Sequence, residues 1–147
     1  MRDRSTVQSA ALLVGIVFLA VGILGFVPGI TTHYGDLSFA GHDSGAKLLG
    51  IFQTSILQNI IHLLFGLAGI AMARSWEGAR TFLIGGGVIY LVLFVYGLFA
   101  HGNTNANFVP VNSADNVLHV ALGVGMLALG FALGRQLIAT DRSAAPA

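Results

Sequence analysis

The sequence predicts an all-α bundle of four transmembrane helices, and three observations lead to this fold class. The chain has 147 residues, of which 55% are hydrophobic and 9% are charged, whereas soluble domains carry about 25% charged residues. Four apolar segments approach the roughly 20 residues that a helix needs to cross a bilayer. Two of these segments contain the same N-x-x-H-x-x-x-G pattern. We therefore expect one integral membrane domain over residues 1–147.

The four helices are predicted at about residues 7–27, 46–73, 80–100 and 114–135. The first ends before Pro28, and its run of about 20 apolar residues is longer than the 7–15 of a signal-peptide core, so we expect it to remain as an anchor. The fourth begins at Asn112 or Ser113, either of which can cap a helix. Asp115 then lies in the first turn, where the helix dipole favours a negative charge.

The second helix is predicted to begin before the membrane. Asp43 or Ser44 can cap it by accepting a hydrogen bond from a free backbone N–H. A helix from there to residue 73 is longer than the hydrocarbon layer requires. Its first two turns would then stand in the interface, or the helix would bend at Gly50.

The positive charges predict the orientation, because Lys and Arg predominate in cytoplasmic loops. Six of the seven lie in the N-terminal tail, in the loop between the second and third helices, or in the C-terminal tail, and only Lys47 lies on the opposite side. We therefore expect a multi-pass protein of the bacterial cytoplasmic (inner) membrane with both termini in the cytoplasm. All five histidines then lie outside or in the outer half of the membrane.

Composition also excludes several functions. The net charge of +1 provides no broad basic surface, so a nucleic-acid partner is not expected. The absence of cysteine excludes disulfides, thiolate metal sites and iron–sulfur clusters.

Residues 58–73 and 115–130 repeat one pattern. The repeat aligns Asn59 with Asn116 and His62 with His119, and in both segments a glycine follows the histidine one turn further on. The spacing puts these residues on one helix face, with polar side chains toward the outside and small ones toward the cytoplasm. We interpret the chain as two tandem helical hairpins forming a parallel pseudo-repeat about an axis along the membrane normal.

The two faces allow more than one interpretation. Small residues let helices approach closely in lipid, and we assign this helix-packing role to Gly66, Gly69, Gly123 and Gly130. The candidate intramembrane polar site comprises Asn59, His62, Asn116 and His119. These side chains can hydrogen-bond between helices, ligate a haem or metal through the histidines, or form a quinone, lipid or proton site.

Two other groups of residues contain side chains typical of metal or catalytic sites. The outer loops contain His33, Asp36, His42, Asp43, His101 and Asp115. Their spacing matches no metal motif, so we expect a solvated loop. Ser113, Asp115 and His119 are neighbours on one helix, but no G-x-S-x-G turn accompanies them. We therefore expect no enzyme activity.

Four strings carry a resemblance to a known family. They are GFVPGITT (25–32), FAGHDSGAKLLGIFQTS (39–55), NIIHLLFGLAGIAMAR (59–74) and NFVPVNSADNVLH (107–119). The chain resembles, over residues 10–135, the uncharacterised and mainly actinobacterial membrane family of domain of unknown function 4383. The resemblance implies a four-helix membrane protein and supplies no catalytic residue or ligand.

The first functional hypothesis is a non-catalytic integral membrane protein without a cofactor, an accessory or assembling subunit within a homo-oligomer or with a membrane-protein partner in the lipid bilayer. The second is a module that binds haem, metal or quinone through His62 and His119. The third is a small transporter with an outward-facing polar vestibule, although no polar path continues toward the cytoplasm below Gly66 and Gly123.

Overall fold

The computed structural model describes residues 4–100 and 104–135. This part of the chain contains four helices: α1 (Thr6–Leu24), α2 (Ile56–Met72), α3 (Trp76–Phe99) and α4 (Ser113–Gly134). Between α1 and α2 lie a short 3₁₀ turn (Tyr34–Asp36) and an antiparallel sheet of β1 (Thr31–Thr32), β2 (Lys47–Leu48) and β3 (Phe52–Gln53), in that order. Helices α1, α3 and α4 are long and apolar enough to cross a membrane, and α2 is shorter at 17 residues.

Side-chain caps begin three of the helices. Ser55 accepts a hydrogen bond from the Gln58 N–H at the start of α2, and Ser75 accepts one from the Gly78 N–H at the start of α3. Asn112 caps α4 by accepting from the Asp115 N–H at 3.0 Å, which confirms that predicted cap. Each cap satisfies a backbone donor that has no partner within its helix.

Ser75→Ala is expected to lower the free energy of unfolding by about 1 kcal/mol, since α3 loses its capping acceptor. The control is Ser9→Ala, which removes an exposed hydroxyl within α1. Denaturant titration of both variants in mild detergent measures the difference. Equal stability of the two variants would contradict this role for Ser75.

The predicted start of the second helix at residue 46 is wrong, because α2 begins ten residues later at Ile56. Residues 47–53 instead form the hairpin of β2 and β3, in which Leu49 and Gly50 adopt φ values of 55° and 73°. Such left-handed backbone cannot belong to an α-helix. Ser44 does not cap a helix either, since its hydroxyl donates to the Thr54 carbonyl at 2.6 Å.

The other helix boundaries differ less from those predicted. α1 ends at Leu24 rather than residue 27, and the Thr31 hydroxyl donates to the Leu24 and Gly25 carbonyls beyond its last turn. α3 begins at Trp76, four residues before the predicted start at 80, because Ser75 supplies its cap. α4 lies within one residue of the predicted 114–135.

Close glycine contacts pack α1 against α2 and α3 against α4. A Cβ added at Gly15 would lie 2.8 Å from the Ile70 backbone nitrogen and 3.0 Å from the Gly66 carbonyl oxygen. One added at Gly87 would lie 3.0 Å from the Leu127 nitrogen and 2.9 Å from the carbonyl oxygen of Gly123. Since real Cβ atoms do not tolerate the shorter of these distances, glycine permits both approaches.

Candidate functional site

A cavity of about 230 Å³ lies at the end of the bundle where the small sheet sits. Helix α1 contributes Val17, Phe18 and Val21, α4 contributes Asp115, Leu118, His119 and Leu122, and Gln58, His62 and Tyr90 come from the other two helices. The β2–β3 hairpin and the residue after it complete the lining. A mainly apolar cavity with a few convergent polar groups is the usual form of a small-molecule site.

Four rings form a continuous wall along this cavity. The His62 ring lies 5.9 Å from Phe18, Phe18 lies 5.3 Å from Tyr90, and Tyr90 lies 5.6 Å from His119, all measured between ring centroids. Both predicted histidines therefore line one cavity, with two aromatic rings in the series that connects them.

Neither imidazole is fully hydrogen-bonded. The Nδ1 atoms of His62 and His119 are buried without a hydrogen-bond partner among residues 4–100 and 104–135, and His119 is only 4% exposed. The amide Oε1 of Gln58 is buried and unpaired in the same way. Leaving a buried polar atom unpaired costs about 1–3 kcal/mol. Because these three atoms are buried from contact with the cavity, a bound molecule can reach the two imidazoles only through Nε2, which is not buried in this way in either ring.

The two predicted asparagines lie outside this cavity lining. Asn59 is fully buried, its Oδ1 accepts from the Thr54 hydroxyl at 2.6 Å, and its amide lies against Gly25, the residue that follows α1. Asn116 lies against Gly97 of α3. The structure thus brings the two histidines together at the cavity and places both asparagines at contacts between helices.

The hairpin of residues 47–53 covers the cavity as a roof and is joined to the start of α4. The Gln53 N–H donates to Asp115 Oδ2 at 3.1 Å, and the Asn112 side chain donates to the Ile51 carbonyl at 2.8 Å. The same Oδ2 also accepts the Asn112 N–H at 2.9 Å. Asp115 is 2% exposed, so it is a buried link between roof and helix as well as a first-turn charge.

An aromatic cluster closes the cavity at the opposite end. The Phe65 ring lies 4.9 Å from both Phe18 and Phe82 and 5.9 Å from Tyr90. Phe82 and Tyr90 are buried in the core with Leu83 and Met126. This packing leaves the middle of the bundle apolar and filled.

The aromatic part of the site was missed in the sequence, although a signal for it was present. Gly15 and Gly87 are each followed three residues later by an aromatic residue, Phe18 and Tyr90. Residues three positions apart in a helix lie on the same face. The close helix contact and the aromatic ring therefore recur together in the first and third helices.

The outer loops gather no metal ligands in the part of the chain that the structure describes. Among residues 4–100 and 104–135, no three His, Asp or Glu side chains lie close enough to hold a metal ion. His42 pairs with Asp43 at 3.3 Å, and the Asp43 side chain is 83% exposed. His33 and Asp36 are exposed, and His101 lies outside the described residues.

Comparison with known proteins gives a family and no individual relative. Neither the curated proteins nor the solved structures include a match to this chain. One family model matches residues 8–132 and so covers α2, α3 and all but two residues each of α1 and α4. The chain belongs to the family described as a domain of unknown function, DUF4383.

Proposed function

We propose that this protein is a non-catalytic, four-span integral membrane protein that binds a small lipid-soluble molecule in the cavity beneath the β2–β3 roof. The observation that carries the proposal is the pair of cavity-lining imidazoles, His62 and His119, each of which keeps its Nε2 accessible while its Nδ1 is buried. A ligand with a polar group would satisfy them, and its apolar part would contact the aliphatic and aromatic walls.

The proposed topology has four spans and both termini in the cytoplasm. At 17 residues α2 reaches the lower limit for a transmembrane helix. Arg74 lies in the α2–α3 connection and Arg80 near the start of α3, and the Arg80 guanidinium lies 6.0 Å from the centre of the Trp76 ring. Such pairs of aromatic and basic residues are typical of the membrane interface. The sheet and the cavity then lie toward the outer surface.

Duplication of a two-helix unit is part of the proposal, and equivalent glycine contacts support it. Gly15 approaches the backbone of Gly66 one helix further along the chain, and Gly87 approaches Gly123 in the same way. The contact of Gly25 with Asn59 likewise corresponds to the contact of Gly97 with Asn116.

Equivalent ring contacts give the same support. The contact of Phe18 with His62 in the first pair of helices corresponds to that of Tyr90 with His119 in the second. The contact between Phe18 and Tyr90 then lies on the pseudo-twofold axis. A duplicated bundle with glycine-lined helix contacts also suits an accessory subunit, so the binding function is compatible with that prediction.

The cavity does not favour two of the alternatives. A cavity of about 230 Å³ lies below the usual range of about 300–1,000 Å³ for small-molecule pockets, so it has room for a single substituted ring and not for a haem. Phe18 and Tyr90 also occupy the wall between the imidazoles. A transport path is disfavoured by Phe65 and Phe82, which close the cavity toward the cytoplasmic end.

Filling the cavity tests the proposed function. Leu122→Trp places a large ring in the cavity, whereas Val124→Trp, two residues along α4, places the same ring on a surface that is 57% exposed. We expect mass spectrometry of extracts from protein purified in mild detergent to find a bound small molecule in the wild type. Its recovery should fall at least tenfold in Leu122→Trp and remain unchanged in Val124→Trp. Equal recovery from both folded variants would refute binding in this cavity.

A further inference from the structure

We infer that the ligand is the ring of a para-quinone or its quinol, held by hydrogen bonds from its two oxygen positions to His62 and His119. This inference rests on the proposed function and specifies the chemical class of its ligand. It follows from the shape, the charge, the hydrogen-bonding groups and the access of the cavity.

The shape of the cavity suits a flat conjugated ring. The Phe18 and Tyr90 rings line it side by side, with centroids 5.3 Å apart and planes inclined by 31°. Aromatic surfaces interact well with other rings in offset or tilted arrangements. A volume of about 230 Å³ is on the scale of a substituted ring and leaves no room for a long tail.

The charge of the lining favours a neutral ligand. No Lys or Arg lines the cavity among the described residues, and Asp115 is the acidic residue on its wall. A phosphate or carboxylate would be buried there beside a carboxyl group and without a cation, which is costly. The phosphate of a phospholipid and the carboxylate of a fatty acid are therefore poor occupants.

The hydrogen-bonding groups match a molecule with oxygens at both ends of a ring. The two histidines lie at the two ends of the four-ring series, and each neutral imidazole has one N–H donor and one acceptor nitrogen. A para-quinone places one carbonyl acceptor at each end. In the quinol these oxygens also donate, and an imidazole whose cavity-facing nitrogen is unprotonated is the acceptor.

Access from the lipid agrees with this class of molecule. Val17 of α1 and Leu118 of α4 line the cavity and are 50% and 38% exposed. Their exposed surface is apolar and lies on helices that face hydrocarbon in the proposed topology. A lipid-soluble quinone can therefore enter from the bilayer and leave its isoprenoid tail there.

Two matched probes test the inference. One is a 1,4-naphthoquinone with a short alkyl chain, and the other is the naphthalene hydrocarbon with the same chain. Isothermal titration of the full-length protein in mild detergent should show the quinone binding about tenfold more tightly, the effect of two modest hydrogen bonds. The tighter binding of the quinone should disappear in a His62→Leu/His119→Leu variant. It should persist in His62→Gln/His119→Gln, because glutamine retains hydrogen-bond donors. His42→Leu, in the outer loop, is the control.

The outcomes separate the two proposals. Equal affinity of the wild type for both probes would refute the quinone and leave binding in the cavity intact. Binding of neither probe would overturn both proposals. Because the comparison of probes uses the wild-type protein, it decides the inference even if the leucine variant fails to fold.

Discussion

Gly123→Leu is expected to lower the free energy of unfolding by about 3 kcal/mol, the upper part of the range for overpacking a tight contact. A Cβ at Gly123 would lie 2.7 Å from the Leu91 side chain and 3.1 Å from the Gly87 carbonyl oxygen. The leucine therefore cannot be accommodated unless α3 and α4 separate.

The control is Gly125→Leu on the same helix. A Cβ at Gly125 meets no atom within 4 Å, and leucine has a higher helix propensity than glycine. This variant should be at least as stable as the wild type. Denaturant titration of both variants in detergent micelles gives the comparison, and a similar loss of stability in both would mean that the α3–α4 contact is not tight.

Asp115→Ala is expected to cost about 3 kcal/mol, because two backbone N–H groups lose the acceptor they share and each unpaired buried group costs about 1–3 kcal/mol. The donors are Gln53 in the roof and Asn112 at the start of α4. Loss of the carboxylate should therefore destabilise the helix start and release the roof together.

Hydrogen exchange distinguishes this double effect from a general loss of stability. The amides of the β2–β3 hairpin should exchange faster in Asp115→Ala than in the wild type, by a larger factor than the amides in the middle of α3 do. Asp43→Ala, which removes an exposed carboxylate, is the control and should leave exchange in the hairpin unchanged. Unaltered exchange in Asp115→Ala would show that this residue does not hold the roof.

Those features of the fold that depend on neighbouring residues could be predicted. The Asn112 cap of α4 depends on a side chain three residues from its donor. The apolar segments for α1, α3 and α4 were recognisable because apolar composition is a local property, and these helices are long and apolar enough to span a membrane.

The roof shows why residues 46–55 were wrongly predicted as helix. Leu48, Leu49, Ile51 and Phe52 form an apolar run that continues without a charge into α2. Its conformation depends on pairing of Leu48 with Thr31 and on the bond from Gln53 to Asp115, 62 residues away. Helical periodicity contains no information about such distant partners, and apolar runs of this length are ambiguous between helix and strand.

By itself, the sequence determined the apolar character of the chain, its family resemblance and the two equivalent helix faces that contain His62 and His119. Only the tertiary structure decided that both imidazoles line one cavity with Phe18 and Tyr90, and that the matching asparagines lie against glycines instead. The physical reason is that spacing along a helix determines which side chains share a face. The partner that each face meets depends on how closely the glycines let the helices approach.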